Sequence, residues 1–158
     1  MWAFMDEPFI QEGATVPVLL NRFDEGSLFR YETRGSVMRM TVNEMSDPRF
    51  EGSWSGIGNS DEYRFSTSQE PLFGLARVLM RMEDDEGAWQ VTGDEPYLPG
   101  VPQPEWAMAV MTGEGAYEGL TALVANRFRA DPCGWDVQGL LFKGEPPSMP
   151  EWLEPPAE

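Results

Sequence analysis

Two carboxylates in this chain stand directly beside an aromatic residue within a run of small residues: Glu51 after Phe50, and Glu118 after Tyr117. A carboxyl group taken out of water resists ionisation, so its pKa rises and it can serve as a general acid or base near neutral pH. Neighbours on an extended strand point to opposite faces. If the aromatic rings point inward, both carboxylates are solvated and inert. If the carboxylates point inward, Glu118 is the better catalytic candidate, because Leu120, Ala122 and Val124 share its face. The aromatics carry a second kind of chemistry. Trp54, Trp89, Trp106, Tyr117 and Trp135 would either pack a core or stack against a bound organic molecule. The ten Met residues suit an adaptable apolar lining, and equally suit gap filling.

Other chemistries are closed to the sequence. It contains no His, which removes Ser-His-Asp and Cys-His relays and any His-ligated metal. The single Cys133 cannot form an internal disulfide; in the turn-like Asp131-Pro132-Cys133-Gly134 it reads as a structural thiol. Asp84-Asp85-Glu86-Gly87 lacks the spacing of a calcium loop and reads as a solvated hairpin tip. Gly113-x-Gly115 lacks the third glycine and the following helix of a dinucleotide fingerprint. No metal and no cofactor are expected. Eleven basic residues against 27 acidic give a net charge of −16. Such a surface repels nucleic-acid phosphates and anionic membranes. It favours solubility, or a cationic ligand or partner.

The elements that must position these groups are strands. A chain of 158 residues suits one domain, and 16 Gly with 14 Pro imply frequent turns. Met38, Met40 and Val42 alternate with Arg39, Thr41 and Asn43, and Phe50, Gly52 and Trp54 alternate with Glu51, Ser53 and Ser55. Over Leu72–Met82 a strand gathers Leu72, Gly74, Ala76, Val78, Met80 and Met82 on one face. Ala88–Gly93 is a short strand, Pro96–Pro104 a loop, and Trp106, Met108 and Val110 alternate again. Leu72, Leu75 and Leu79, like Leu120, Leu123, Val124 and Phe128, also fit helical spacing; the surrounding turns favour strands. The segments Phe50–Gly56, Gly87–Gly93 and Gly115–Thr121 echo one another, each placing an aromatic among small residues. Glycines of this kind let a sheet bend.

The reading is therefore all-β: a single antiparallel barrel of about eight strands over residues 35–144. An irregular lead-in (1–34) precedes it and a Pro-rich tail (145–158) follows. The first residues lack a basic start and apolar run, and no stretch reaches about 18 apolar residues. As written the chain is soluble and cytoplasmic, or exported if a leader has been removed.

Gly113-Glu114-Gly115-Ala116-Tyr117-Glu118-Gly119 resembles the late hairpin of the allene oxide cyclase and dirigent-like barrels. The order of Ser46-Asp47-Pro48-Arg49, Gly87-Ala88-Trp89, this hairpin and Trp135-Asp136-Val137-Gln138-Gly139 is similar to uncharacterised bacterial members. The resemblance implies an antiparallel barrel with an apolar lumen, often a dimer or trimer. No cyclase catalytic residue maps onto a position here. The leading expectation is a barrel holding an apolar or cationic small organic ligand, with no nucleic-acid or membrane partner. The alternatives are a cyclase or isomerase acting on a reactive polyene, and an interaction domain that uses the Pro-rich tail.

Overall fold

The computed structural model describes residues 2–5, 12–24, 26–43, 45–68, 71–97, 106–130 and 133–147. They form nine strands: β1 (Trp2–Met5), β2 (Glu12–Phe23), β3 (Gly26–Asn43), β4 (Gly52–Phe65), β5 (Phe73–Glu83), β6 (Gly87–Tyr97), β7 (Trp106–Gly115), β8 (Leu120–Ala130) and β9 (Cys133–Lys143). A 3₁₀ turn, Pro48–Phe50, lies between β3 and β4. From β2 to β9 each strand pairs antiparallel with the next, a meander without crossovers. β1 pairs on one side with β9 (Ala3↔Trp135) and on the other with the end of β3 (Met5↔Val42). Among the described residues no helix is long and apolar enough to cross a membrane.

The alternation read from the sequence is the alternation of burial. On β5, Gly74, Ala76, Val78, Met80 and Met82 are buried while Phe73, Leu75, Arg77 and Leu79 are exposed. The helical alternative fails there, because Leu75 and Leu79 face solvent. Residues from five strands meet in one core: Met38 of β3, Met80 and Met82 of β5, Trp89 and Val91 of β6, Met111 of β7, and Ala122 of β8. Only a strongly curved sheet brings strands so far apart in pairing order together. Full burial of each Met or Val contributes roughly 1.5–3 kcal/mol. The opposite face carries a cross-strand row, Ile57, Leu79, Thr92, Val110, Leu123 and Leu140. Ile57, Leu79 and Leu140 of that row are exposed.

Three expectations are corrected. Residues 12–34 are not an irregular lead-in but β2 and the first half of β3. Among the described residues β2 pairs with β3 alone, and it exposes Val16, Leu19, Leu20 and Phe23, so it shows no one-sided pattern; as an edge strand it tolerates Pro17. Phe50 belongs to the 3₁₀ turn rather than a strand. Residues 116–119 form the turn between β7 and β8, with Gly115 and Gly119 at φ of 65° and 78°. Tyr117 and Glu118 therefore obey no strand alternation. Most of the Pro-rich tail and of the Pro96–Pro104 loop lies outside the described residues.

One irregularity organises the sheet. Thr33 pairs with Ser60 but Ser36 pairs with Gly58, so β3 carries one more residue than β4 over this interval. Gly35, at φ 68°, takes the left-handed backbone that such a bulge demands. Its amide donates to Asn59 Oδ1 (2.8 Å), and Arg34 donates to Ser60 O (2.7 Å) and Asp61 Oδ1 (2.6 Å). On one side of the bulge β3 lies between β2 and β4; beyond it, at Val42 and Asn43, β1 takes the place of β2.

Candidate functional site

One end of the core is sealed by three stacked aromatic rings. Trp89, fully buried, lies between Phe50 (centroids 5.0 Å, 24°) and Tyr117 (5.3 Å, 16°). Each ring is fixed by a polar handle or a turn. The indole Nε1 of Trp89 donates to Arg49 O at 2.7 Å, and the Tyr117 hydroxyl donates to Asp84 Oδ2 at 2.5 Å. Asp84 Oδ1 also accepts the amides of Glu86 and Gly87, both at 2.8 Å, which shapes the β5–β6 hairpin tip. Burial pushes the Tyr117 phenol up to about 12, and the adjoining Asp84 carboxylate adds to the rise. At Asp84 burial acts upward, but the hydrogen bonds from Tyr117, Gly87 and Glu86 hold the carboxyl below its usual range.

The Ser46-Asp47-Pro48-Arg49 motif serves this seal. Asp47 caps the 3₁₀ turn through the Arg49 amide (3.2 Å) and grips the Arg49 guanidinium at 2.9 and 2.6 Å. The Arg49 hydrogen bonds keep the Asp47 carboxyl low. Pro48 at the start of the turn carries the chain across the end of the sheet and lays Phe50 on Trp89. Gly113 is required beneath the seal, since a Cβ there would run into the backbone carbonyl of Tyr117.

Behind the seal, on the buried face, is a cavity of about 390 Å³. Its size falls within the range of about 300–1,000 Å³ usual for small-molecule sites. The space exists because inward positions of neighbouring strands carry little: Gly93 on β6, Ala107 and Ala109 on β7, Ala122 on β8, Gly139 on β9. Met40, Met45, Met80, Met111 and the Trp54 ring supply the larger part of the wall. Trp54 Nε1 is buried with no acceptor among the described residues.

One lining residue stands apart chemically. Glu95 continues the inward series Trp89, Val91, Gly93 on β6, opposite Ala76 of β5. The pairing of β6 with β7 ends one residue earlier, at Asp94↔Met108; Ala107 of β7, which pairs with the lining amide Asn126 of β8, shares the cavity wall with Glu95. Burial pushes the Glu95 carboxyl above its ordinary range, and no hydrogen bond or ion pair from the described residues offsets it. The other lining carboxylate, Asp47, is engaged by Arg49. Among the described residues no Lys or Arg lines the cavity.

The structure thus redistributes the residues that the sequence singled out. Trp54 lines the cavity; Trp89 and Tyr117 do not, being locked in the seal. The side chains of Trp106, Trp135 and Cys133 lie outside those described. Glu118 is exposed in the β7–β8 turn and does not share a face with Leu120, Ala122 and Val124. Glu51 accepts the Met45 amide at 2.8 Å, a loop-fixing role. Glu95 was missed because the strand from Ala88 was ended at Gly93, before Asp94-Glu95-Pro96. The signal was present: a carboxylate at the next alternate position of an otherwise apolar face.

Comparison with protein-family models, with curated proteins and with solved structures finds no match to this chain.

Proposed function

We propose that the sheet closes through β1 into a barrel and that its interior cavity binds a small organic molecule with a largely apolar body. The observation that carries this is the cavity of about 390 Å³, walled by Met, Val and small residues, with Glu95 a lining carboxylate that no described residue engages. β1 supports closure, since it bonds to β9 and β3 at once. A barrel with an apolar lumen is also what the resemblance to allene oxide cyclase-like proteins implies. A core meant only for stability would fill such a space, because voids cost packing energy.

Native mass spectrometry before and after unfolding tests the reading, together with titration by an apolar dye. A small molecule released on denaturation, or saturable dye binding that Ala107→Leu abolishes, is the expected outcome. An empty protein whose dye response is indifferent to Ala107→Leu would overturn it.

One observation favours a catalytic variant of the same reading, a cyclase or isomerase. Glu95 is a desolvated carboxyl inside an apolar cavity, the environment of a general acid. In that variant the acid is Glu95 and not Glu118. Its check is turnover of a released ligand, which Glu95→Gln would stop while leaving binding intact.

A further inference from the structure

We infer that the molecule this cavity takes is an organic cation, an apolar body carrying a protonated amine whose nitrogen sits against Glu95. This rests on the ligand-binding reading above and specifies its chemistry.

The cavity would receive each class of occupant differently. An apolar molecule with no charge would displace water from around Glu95 and supply nothing in return, leaving a carboxylate further desolvated. An anion would meet that carboxylate in a cavity that no Lys or Arg among the described residues lines. A protonated amine supplies what is missing, a charge-assisted hydrogen bond to a carboxylate that no described residue engages. The amide of Asn126, two strands from Glu95 on β8, is a further polar group of the wall and offers an oxygen acceptor to the occupant.

The rest of the wall agrees. Trp54 presents a ring and Met40, Met80 and Met111 present polarisable thioethers, surfaces that suit the alkyl body of a cation. Direction follows from the layers of the sheet. The seal of Phe50, Trp89 and Tyr117 closes the end beside Val91 and Met111, whereas Glu95 and Asn126 lie farther along the strands, past Gly93 and Ala109. The body points to the seal and the ammonium away from it. The net charge of −16 raises the concentration of cations around the whole molecule.

The test is calorimetric titration at physiological ionic strength with octylamine and octanol, which share a chain and differ in charge. The wild type is expected to bind octylamine at least about tenfold more tightly, some 1.4 kcal/mol. Glu95→Gln should bring that ratio close to one with octanol affinity retained. Asp85→Asn, which removes the same charge from the exposed β5–β6 tip, should leave the ratio as it was. A melting curve showing Glu95→Gln at least as stable as the wild type establishes that the variant is folded. Equal binding of the two probes, or a preference that survives Glu95→Gln, overturns the inference while octanol binding leaves the cavity reading standing. Failure of both probes to bind overturns both.

Discussion

Tyr117→Phe isolates one hydrogen bond in the aromatic seal. The substitution keeps the ring that stacks on Trp89 at 5.3 Å and removes only the hydroxyl that donates to Asp84 at 2.5 Å. Hydrogen bonds to charged groups contribute about 1.5–3 kcal/mol. Asp84 keeps its two amide donors and is only half-buried, so little desolvation penalty is added and the low end applies: about 1.5 kcal/mol. For a domain of this size about 1 kcal/mol moves Tm by 2–4 °C, so a loss of about 3–6 °C is expected.

The pH dependence makes the experiment specific. Asp84 is held below its usual range in the folded chain, so its share of stability is present above pH 4 or so and is lost as pH falls through the folded value. Tyr117 is raised from 10.0 to about 12, so its neutral hydroxyl stabilises below pH 10 and ceases to do so as pH rises through about 12. The gap between wild type and Tyr117→Phe should form a plateau at intermediate pH and narrow at both ends. Chemical denaturation of both proteins across that range measures it. A gap under about 0.5 kcal/mol at neutral pH, or one that stays constant into acid, refutes the assignment of this bond.

Glu95→Gln should stabilise the protein at pH 7 by about 1 kcal/mol, the low end of the cost of uncompensated polar burial. Because burial raises the carboxyl in the folded state, wild type loses stability relative to the variant as pH climbs through that raised value, and melts should coincide near pH 3. The chain has no His, so a change between pH 5 and 8 is not masked by imidazole titration. Gly113→Ala should lower stability by about 3 kcal/mol through overlap with the Tyr117 backbone. Gly119→Ala, at φ 78° with open space around it, should cost about 1 kcal/mol of backbone strain; equal urea midpoints for the two would contradict this contrast. Trp54→Phe removes a buried donor with no acceptor among the described residues and should leave the unfolding free energy within about 0.5 kcal/mol of wild type; a loss above about 2 kcal/mol would mean that the indole has a structural partner.

Much of the sheet was legible because burial is one-sided. The series Gly74 to Met82 announces β5, and Met38, Met40 and Val42 announce the end of β3 that enters the core. β2 was illegible for the converse reason: a strand bonded on one side only and exposed along its length has no face to pattern. The seal was half legible. Phe50, Trp89 and Tyr117 stood out as aromatics among glycines, but their stacking depends on two turns that lift Phe50 and Tyr117 out of the strands. Glu118 misled because alternation was extended into a turn. Glu95 was hidden by Pro96, which reads as a strand breaker. The structure accommodates it because the pairing of β6 with β7 stops at Asp94↔Met108, so no ladder hydrogen bond to β7 is asked of the proline.

The extra residue at Gly35 also divides the sheet into parts of unequal resistance to opening. The start of β3 is bonded to β4 from Leu28 to Thr33, whereas β2 is bonded only to β3 among the described residues, with Val16, Leu19 and Phe23 in water. Amide protons of β2 should therefore exchange with solvent through small, local openings, while those of Val78 to Met82 and Val91 wait for global unfolding. β2 can detach from β3 and re-form without disturbing the aromatic seal, a separate cooperative unit within one continuous sheet.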